Sequence, residues 1–128
     1  MVITTFEDLE IWQEARELAK TIRKYTNRCP FNKYYRFCNQ INSSTGSIMD
    51  NIAEGFERDG HKEFIQFLYI SKGSNAETRS QSYRAIDAEF ITQEEFEDII
   101  KRTSSIRNKI QKLITYLKQN KQRGRKYK

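Results

Sequence analysis

Apolar residues recur along this chain at spacings of three and four, the period of a helix face, and no stretch alternates as a half-buried strand would. The first stripe is Ile11, Ala15, Leu18, Ile22 and Tyr25. Ahead of it, the Thr5 hydroxyl can cap the helix while Asp8 reciprocates three residues later. Asn27 to Pro30 ends this helix, because proline disfavours helical geometry in the residue before it. With Asn32 as the next cap, a second helix runs through Phe37, Ile41, Ile48 and Ile52 to about Phe56. Asp59-Gly60 breaks it, and a third helix spans about His61 to Ala88. Thr92 and Glu95 form a capping box for the fourth, whose stripe is Phe96, Ile99, Thr103, Ile106, Ile110, Leu113 and Leu117. Four long helices with short connections predict an all-α fold, an antiparallel up-down-up-down four-helix bundle over residues 1–118. Residues 119–128 are left as a basic flexible tail.

The middle of helices 2 and 3 departs from this pattern. Ser43, Ser44, Thr45, Gly46 and Ser47 stand where a bundle would place Leu or Ile, as do Gly73, Ser74, Ala76, Thr78, Ser80 and Ser82. Thin positions of this kind let two backbones approach, with hydroxyls bonding across or back to carbonyls. Ser47, Asn51 and Glu54 step by four and three, so they share a face. A part-buried Glu54 needs partners, either Arg58 one turn on or the free N–H groups that open helix 3. Asn51 can serve Ser74 or the backbone around Gly73. Together with Gly55 and Glu77 these residues read as a structural polar network locking helix 2 onto helix 3. The competing reading is a ligand or nucleic-acid contact site. Packing is preferred because that face offers no histidine, no metal-ligand cluster and no basic residue.

Charge adds a second layer. The 128-residue chain carries a formal charge of +6, with 23 basic and 17 acidic residues. Residues 118–128 hold six of the bases (Lys118, Lys121, Arg123, Arg125, Lys126 and Lys128) and no acid, leaving 17 bases against 17 acids before them. The whole excess therefore sits at the end of helix 4 and in the tail, where it can serve as a phosphate-binding arm or merely as a solubilising terminus. Within the bundle, every charge between Glu17 and Asp50 is positive, and the turn between helices 3 and 4 is acidic. An up-down-up-down topology brings those two regions together at one end. At the other, Glu7, Asp8, Glu10, Asp50, Glu54, Glu57 and Asp59 should meet the basic last turns of helix 4.

Phe64 to Ile70 has six apolar residues in seven, which surround helix 3 rather than forming one stripe. Phe64, Leu68 and Ser71 can face the core, which turns Ile65 and Tyr69 outward as candidates for an oligomer interface, with Lys72 beside them.

Several function classes drop out. No apolar run approaches the roughly 18 residues of a membrane span, and the N-terminus lacks the basic and apolar regions of a signal peptide, so a cytoplasmic protein with no membrane partner is expected. In that compartment Cys29 and Cys38 are expected as reduced, structural thiols. His61 is the lone histidine, so neither a Cys/His zinc site nor a paired Glu-x-x-His di-metal site can be assembled, and no metal or other cofactor is expected. Its place at a helix start reads as exposed polar filler. Nucleophile-elbow and phosphate-loop motifs are missing as well, so no enzyme is expected.

Phe6-Glu7-Asp8-Leu9-Glu10-Ile11-Trp12-Gln13-Glu14-Ala15, Gln40-Ile41, Ser47-Ile48, Asn51-Ile52-Ala53-Glu54-Gly55-Phe56, Lys62-Glu63-Phe64 and Gly73-Ser74-Asn75-Ala76-Glu77 follow one another in an order that resembles the bacterial four helix bundle protein family. That family includes proteins encoded in intervening sequences of large-subunit ribosomal RNA genes, often labelled as a ribosomal protein. The resemblance spans essentially residues 5–118. It implies a barrel-like homopentamer of four-helix bundles. It also implies kinship with accessory proteins of diversity-generating retroelements, in which a basic pentamer binds nucleic acid and a reverse transcriptase. Met49-Asp50 stands where the family usually has proline and a small residue, and Ser71 where it usually has alanine. Two functions follow as expectations. One is a non-enzymatic, oligomeric RNA- or DNA-binding accessory protein that contacts phosphates through Lys109, Lys112, Lys118 and the tail bases Lys121, Arg123, Arg125, Lys126 and Lys128. The other is a protein-interaction scaffold with no nucleic-acid role.

Overall fold

Periodicity becomes four helices. The structure, a computed structural model, describes residues 2–120. The tail residues Lys121, Arg123, Arg125, Lys126 and Lys128 lie outside the described residues. The helices are α1 (Glu10–Thr26), α2 (Tyr35–Glu57), α3 (His61–Asp87) and α4 (Gln93–Gln119), with single 3-10 turns at Phe6–Asp8 and Phe31–Lys33. Each helix packs on its sequence neighbours and α1 closes the ring against α4, while the backbones of α1 and α3, and of α2 and α4, stand apart across the core, as in an up-down-up-down bundle. Among the described residues there is no strand.

The helix ends show where local chemistry differs from the expected caps. Asp8 accepts from the Thr4 and Thr5 backbone N–H groups, but what this box stabilises is the 3-10 turn, and α1 begins two residues after it. Asn32 does not cap α2. Its side-chain amide instead donates to the Asn27 carbonyl at 3.2 Å, tying the α1–α2 connection together, while Tyr34 occupies the cap position. Gly60, at φ 94°, makes the turn into α3, a conformation that a Cβ would strain. The box of α4 is complete, with Glu95 N–H donating to the Thr92 hydroxyl and Thr92 N–H to the Glu95 carboxylate. At the end of α3, Glu89 N–H bonds Ile86 O and Phe90 N–H bonds Ala85 O, the pair of bonds that defines a Schellman motif. The residue that must turn left-handed there is Glu89, at φ 63°, where glycine is the usual occupant. Replacing Glu89 with glycine is therefore expected to raise stability by about 1 kcal/mol, read as a higher thermal midpoint; a lower midpoint would mean the carboxylate has a role outweighing the strain.

Ile11, Ala15, Leu18 and Ile22 of α1 meet Ile41, Ile48, Ile52 and Phe56 of α2 and Ile99, Ile106, Ile110, Ile114 and Leu117 of α4 in one core. In α4 the innermost position near the end is Ile114, with Leu113 at its flank. The contribution of α3 is unusual: after Phe64 and Leu68 its inward stripe continues as Ser71, Asn75, Thr78 and Ser82 before Ala85. Each of these side chains is buried with at least one partner, as burial demands, and only Asn75 Oδ1 among their polar atoms is left without one. Ser71 donates to Ile48 O of α2 at 2.8 Å, and Asn75 donates to Thr103 O of α4 at 2.8 Å. Thr78 and Ser82 donate back to carbonyls of their own helix. His61, expected at the surface, is buried at the head of the same stripe. The corrected reading follows from its register with Phe64 and Leu68, which points it inward.

Opposite charges do meet, though less widely than the charge map suggested. Of the cations between Lys20 and Arg36, Arg28 crosses to the acidic turn, donating to both oxygens of Glu95 at 2.6 and 2.8 Å. Lys20 pairs instead with Glu17 of its own helix. Towards the other end, Lys109 pairs with Glu10 at 2.9 Å and with Glu14, so the acids of α1 are met well before the last turn of α4. The Arg28 guanidinium, aided by the Thr92 N–H, holds the Glu95 carboxyl at about 2, below its ordinary 4.5. A depressed carboxylate stabilises the fold above its unfolded pKa and loses that effect as pH falls through its folded one. The contribution is thus full above about pH 4.5 and gone below about pH 2. Arg28→Gln is expected to cost about 1–2 kcal/mol at pH 7. The gap to wild type should narrow between those pH values; a gap of constant size would assign it to the stacking of Arg28 over Tyr25 instead.

Candidate functional site

Two regions hold the residues singled out from sequence: the seam between α2 and α3, and the outer face of α4 with the start of α3. At the seam, Ser47 is the joint. Its hydroxyl receives the Ser74 hydroxyl at 2.9 Å across the helices and the Asn51 amide at 2.9 Å along its own helix. Asn51 also donates to Ser47 O, so it reaches neither Ser74 nor the backbone at Gly73 directly. Glu54 is exposed rather than part-buried, because it lies on the outer flank of α2. It pairs with Arg58 at 3.0 Å and takes no N–H from the start of α3. Glu77 is exposed too, and meets only the Gln81 amide, at 3.4 Å.

The glycines separate. A Cβ on Gly55 would lie 2.6 Å from Phe67 Cβ and 3.0 Å from Phe64 Cδ1, so the end of α2 rests directly on the start of α3. A Cβ on Gly73 or Gly46 would touch nothing within 4 Å. Close backbone approach is thus a property of Gly55 and not of the mid-helix glycines.

Further along the seam lies a buried polar cluster whose Gln81 the sequence pattern does not single out. Ser44 lies 2.7 Å from the Thr78 hydroxyl and 2.6 Å from Gln81 Oε1, all three buried. Above them is a groove of about 510 Å³, rimmed by Ser43, Glu77, Ser80 and Arg84. Its floor hydroxyls already have partners, and Arg84 is held over the Phe37 ring at 4.4 Å. No imidazole or carboxylate bonds these hydroxyls in the way that activates a nucleophile. Among the described residues no group of three His, Cys, Asp or Glu side chains could hold a metal ion. The cysteines are free thiols: Cys29 is exposed, while Cys38 donates to Phe31 O at 3.1 Å and burial pushes its thiol up. No helix among the described residues is long and apolar enough to cross a membrane. The seam holds two helices in register through these hydroxyl and amide contacts.

The second region sorts the candidate cations. Lys109 is half-buried between Glu10 and Glu14, which raise its pKa, so it is committed to the α1–α4 contact and is not free for phosphate. Lys112 is exposed. Lys118 donates to the Tyr69 hydroxyl at 2.8 Å, with its ammonium 5.3 Å from the ring centre. A candidate phosphate contact and a candidate interface residue are therefore one local unit. Tyr69 is 43% exposed and its neighbour Ile70 is 52% exposed, whereas Ile65 is half-buried against the core. The outward apolar pair is Tyr69 and Ile70, since Ile65 packs against the core. Lys72 donates to Gln111 of α4 at 2.6 Å.

Comparison with known proteins agrees with the helical architecture and the order of motifs. A crystal structure of a protein of unknown function from the S23 ribosomal protein family of Bacteroides thetaiotaomicron superposes with a TM-score of 0.75 at 25% sequence identity, over 82% of this chain and 95% of that one. No curated protein matches the chain. A family model described as 23S rRNA-intervening sequence protein matches residues 7–112. The chain belongs to the 23S rRNA-intervening sequence protein family.

Proposed function

We propose that this protein is a non-enzymatic, cytoplasmic, oligomeric accessory protein that binds RNA or DNA through the end of α4 and the residues beyond it. The observation that carries this reading is the segregation of charge. Residues 118–128 hold six bases and no acid, and the remaining 17 bases are matched by 17 acids. Lys118 of that segment lies on α4, and exposed Lys112 extends the basic surface further back along the helix. A polyanion is attracted to such a segment by phosphate contacts that release counterions, and it needs no pocket. The family name ties the gene to the intervening sequence of 23S rRNA, which makes an RNA the first polyanion to test. Purification with and without nuclease is the direct screen: RNA should travel with the untreated protein and be lost after digestion. Protein that is free of RNA before any digestion, and binds none when offered it, would contradict the reading.

Assembly is the second part of the proposal. A homopentamer would set five basic segments on one particle, so weak phosphate contacts would act together. The surface that supports it is the Tyr69–Ile70 pair, large apolar side chains exposed side by side on α3. Tyr69→Asp is expected to reduce the particle to monomers in light scattering, with the circular dichroism spectrum unchanged. An unchanged mass would place the interface elsewhere.

A further inference from the structure

Resting on the nucleic-acid reading above, we infer that the opposite end of the bundle carries a second, separate site, one for single-stranded nucleic acid. It is built from Tyr34, Tyr35 and the cations around them. The 3-10 turn Phe31–Lys33 and the first turn of α2 present Lys33, Tyr34, Tyr35 and Arg36 in succession, all exposed. Tyr34 and Tyr35 are 55% and 75% exposed, and Tyr35 is the most exposed large hydrophobic side chain of the described residues. Tyr34 is not loose. Its ring sits 4.7 Å from Phe90, which itself stacks on buried Phe31 at 4.7 Å, so a ladder of rings fixes it from beneath and leaves an outer surface open. Two adjacent tyrosines left in water on one end of the bundle form an exposed aromatic surface that calls for an occupant.

The surrounding charge says which occupant. Arg23 and Lys24 in the last turn of α1, with Lys33 and Arg36, make no ion pair among the described residues. The acid nearest to this end of α1 in contact terms, Glu95, is neutralised by Arg28. Carboxylates do border the platform on one side, where Asp87, Glu89, Glu94 and Glu97 around the α3–α4 turn also make no ion pair among the described residues, so a polyanion would approach from the α1–α2 side. Unpaired cations beside exposed aromatic rings match a strand whose phosphates are held by charge and whose bases stack. A duplex hides its base faces and could use only the charges. The site lies about 40 Å from the end of α4, the length of a helix of that size, so one chain segment cannot serve both.

The test uses the full-length protein, a fluorescein-labelled 15-nucleotide oligouridylate and an RNA duplex of equal length, with anisotropy read at about 100 mM salt. Tyr35→Ala is expected to weaken oligouridylate binding about 5- to 100-fold and to leave duplex binding within about twofold. Lys33→Glu with Arg36→Glu should weaken both. Tyr35 is the safer ring to remove because it supports no other ring in the structure, and Tyr34→Ala is the companion variant. If Tyr35→Ala and Tyr34→Ala both bind oligouridylate as wild type does, the second site is overturned while binding through the α4 end still stands. If the wild-type protein binds neither probe, the proposed function falls and this site with it. An acidic protein occupant would show as charge-reversal effects on that partner with no response to either RNA.

Discussion

Substituting Gly55 with alanine is expected to lower stability by about 1–3 kcal/mol, whereas the same change at Gly73 should raise it by about 0.5–1 kcal/mol. Alanine is the better helix former at both positions, so propensity alone predicts a gain twice. The difference is what the new methyl meets. At Gly55 it would sit 2.6 Å from Phe67 Cβ, an atom fixed to the backbone of α3 that no rotamer change can withdraw. The helices would have to part just where the 58–60 turn holds them together. At Gly73 the same methyl enters open space. A difference of this size should separate the two variants by roughly 5–15 °C in thermal midpoint. Equal shifts, or a gain at Gly55, would show that α2 and α3 are not in contact there as described.

Deleting residues 119–128 should have the largest effect on function. It removes Lys121, Arg123, Arg125, Lys126 and Lys128, five of the six bases of the C-terminal segment. If all five contact phosphates, the log–log dependence of affinity on salt should flatten by about 4.5 for a duplex and 3.5 for a single strand. Affinity for a duplex near 0.1 M salt should fall at least about 100-fold. The bundle core ends at Leu117, so this deletion should leave the thermal midpoint of the bundle nearly unchanged. Binding and salt slope that survive the deletion intact would assign the phosphate contacts to the bundle, with the Tyr34–Tyr35 end as the first place to look.

How much of this was legible in the residues depended on whether local and tertiary signals agreed. In α4 they did: the Thr92–Glu95 box, the stripe from Ile99 to Leu117 and the basic last turn all point to one helix, and it forms. In α3 they conflicted. The inward stripe runs His61, Phe64, Leu68, Ser71, Asn75, Thr78, Ser82 and Ala85, an unbroken alternation of three and four. Hydropathy sees only part of it, which is why His61 reads as a surface residue and Asn75 does not read as core, whereas Ser71 already faces inward by its spacing from Phe64 and Leu68. Following the register instead of the side-chain type would have found all of them. Register also accounts for Glu54: two residues beyond Ile52, it falls on the outer flank of α2 and belongs with Arg58. The end of α3 was harder, since a Schellman turn signals itself through glycine and here Glu89 takes that conformation. Nothing in sequence spacing could have said that Lys109 is occupied, because its partners Glu10 and Glu14 reach it only through the α1–α4 packing. The exposed Tyr34–Tyr35 pair was hidden for a similar reason: exposure is a tertiary property, and tyrosine is as much at home in a core.

The central proposal is that a formally neutral bundle with all its excess charge at one terminus binds a polyanion there. Its most direct test is a titration of the intact protein into labelled RNA between 50 and 200 mM salt, conditions over which about six phosphate contacts cost roughly a thousandfold in affinity. Tight binding at the low end that collapses across this range is the predicted result. No binding at 50 mM, or binding that salt leaves unchanged, would contradict the account.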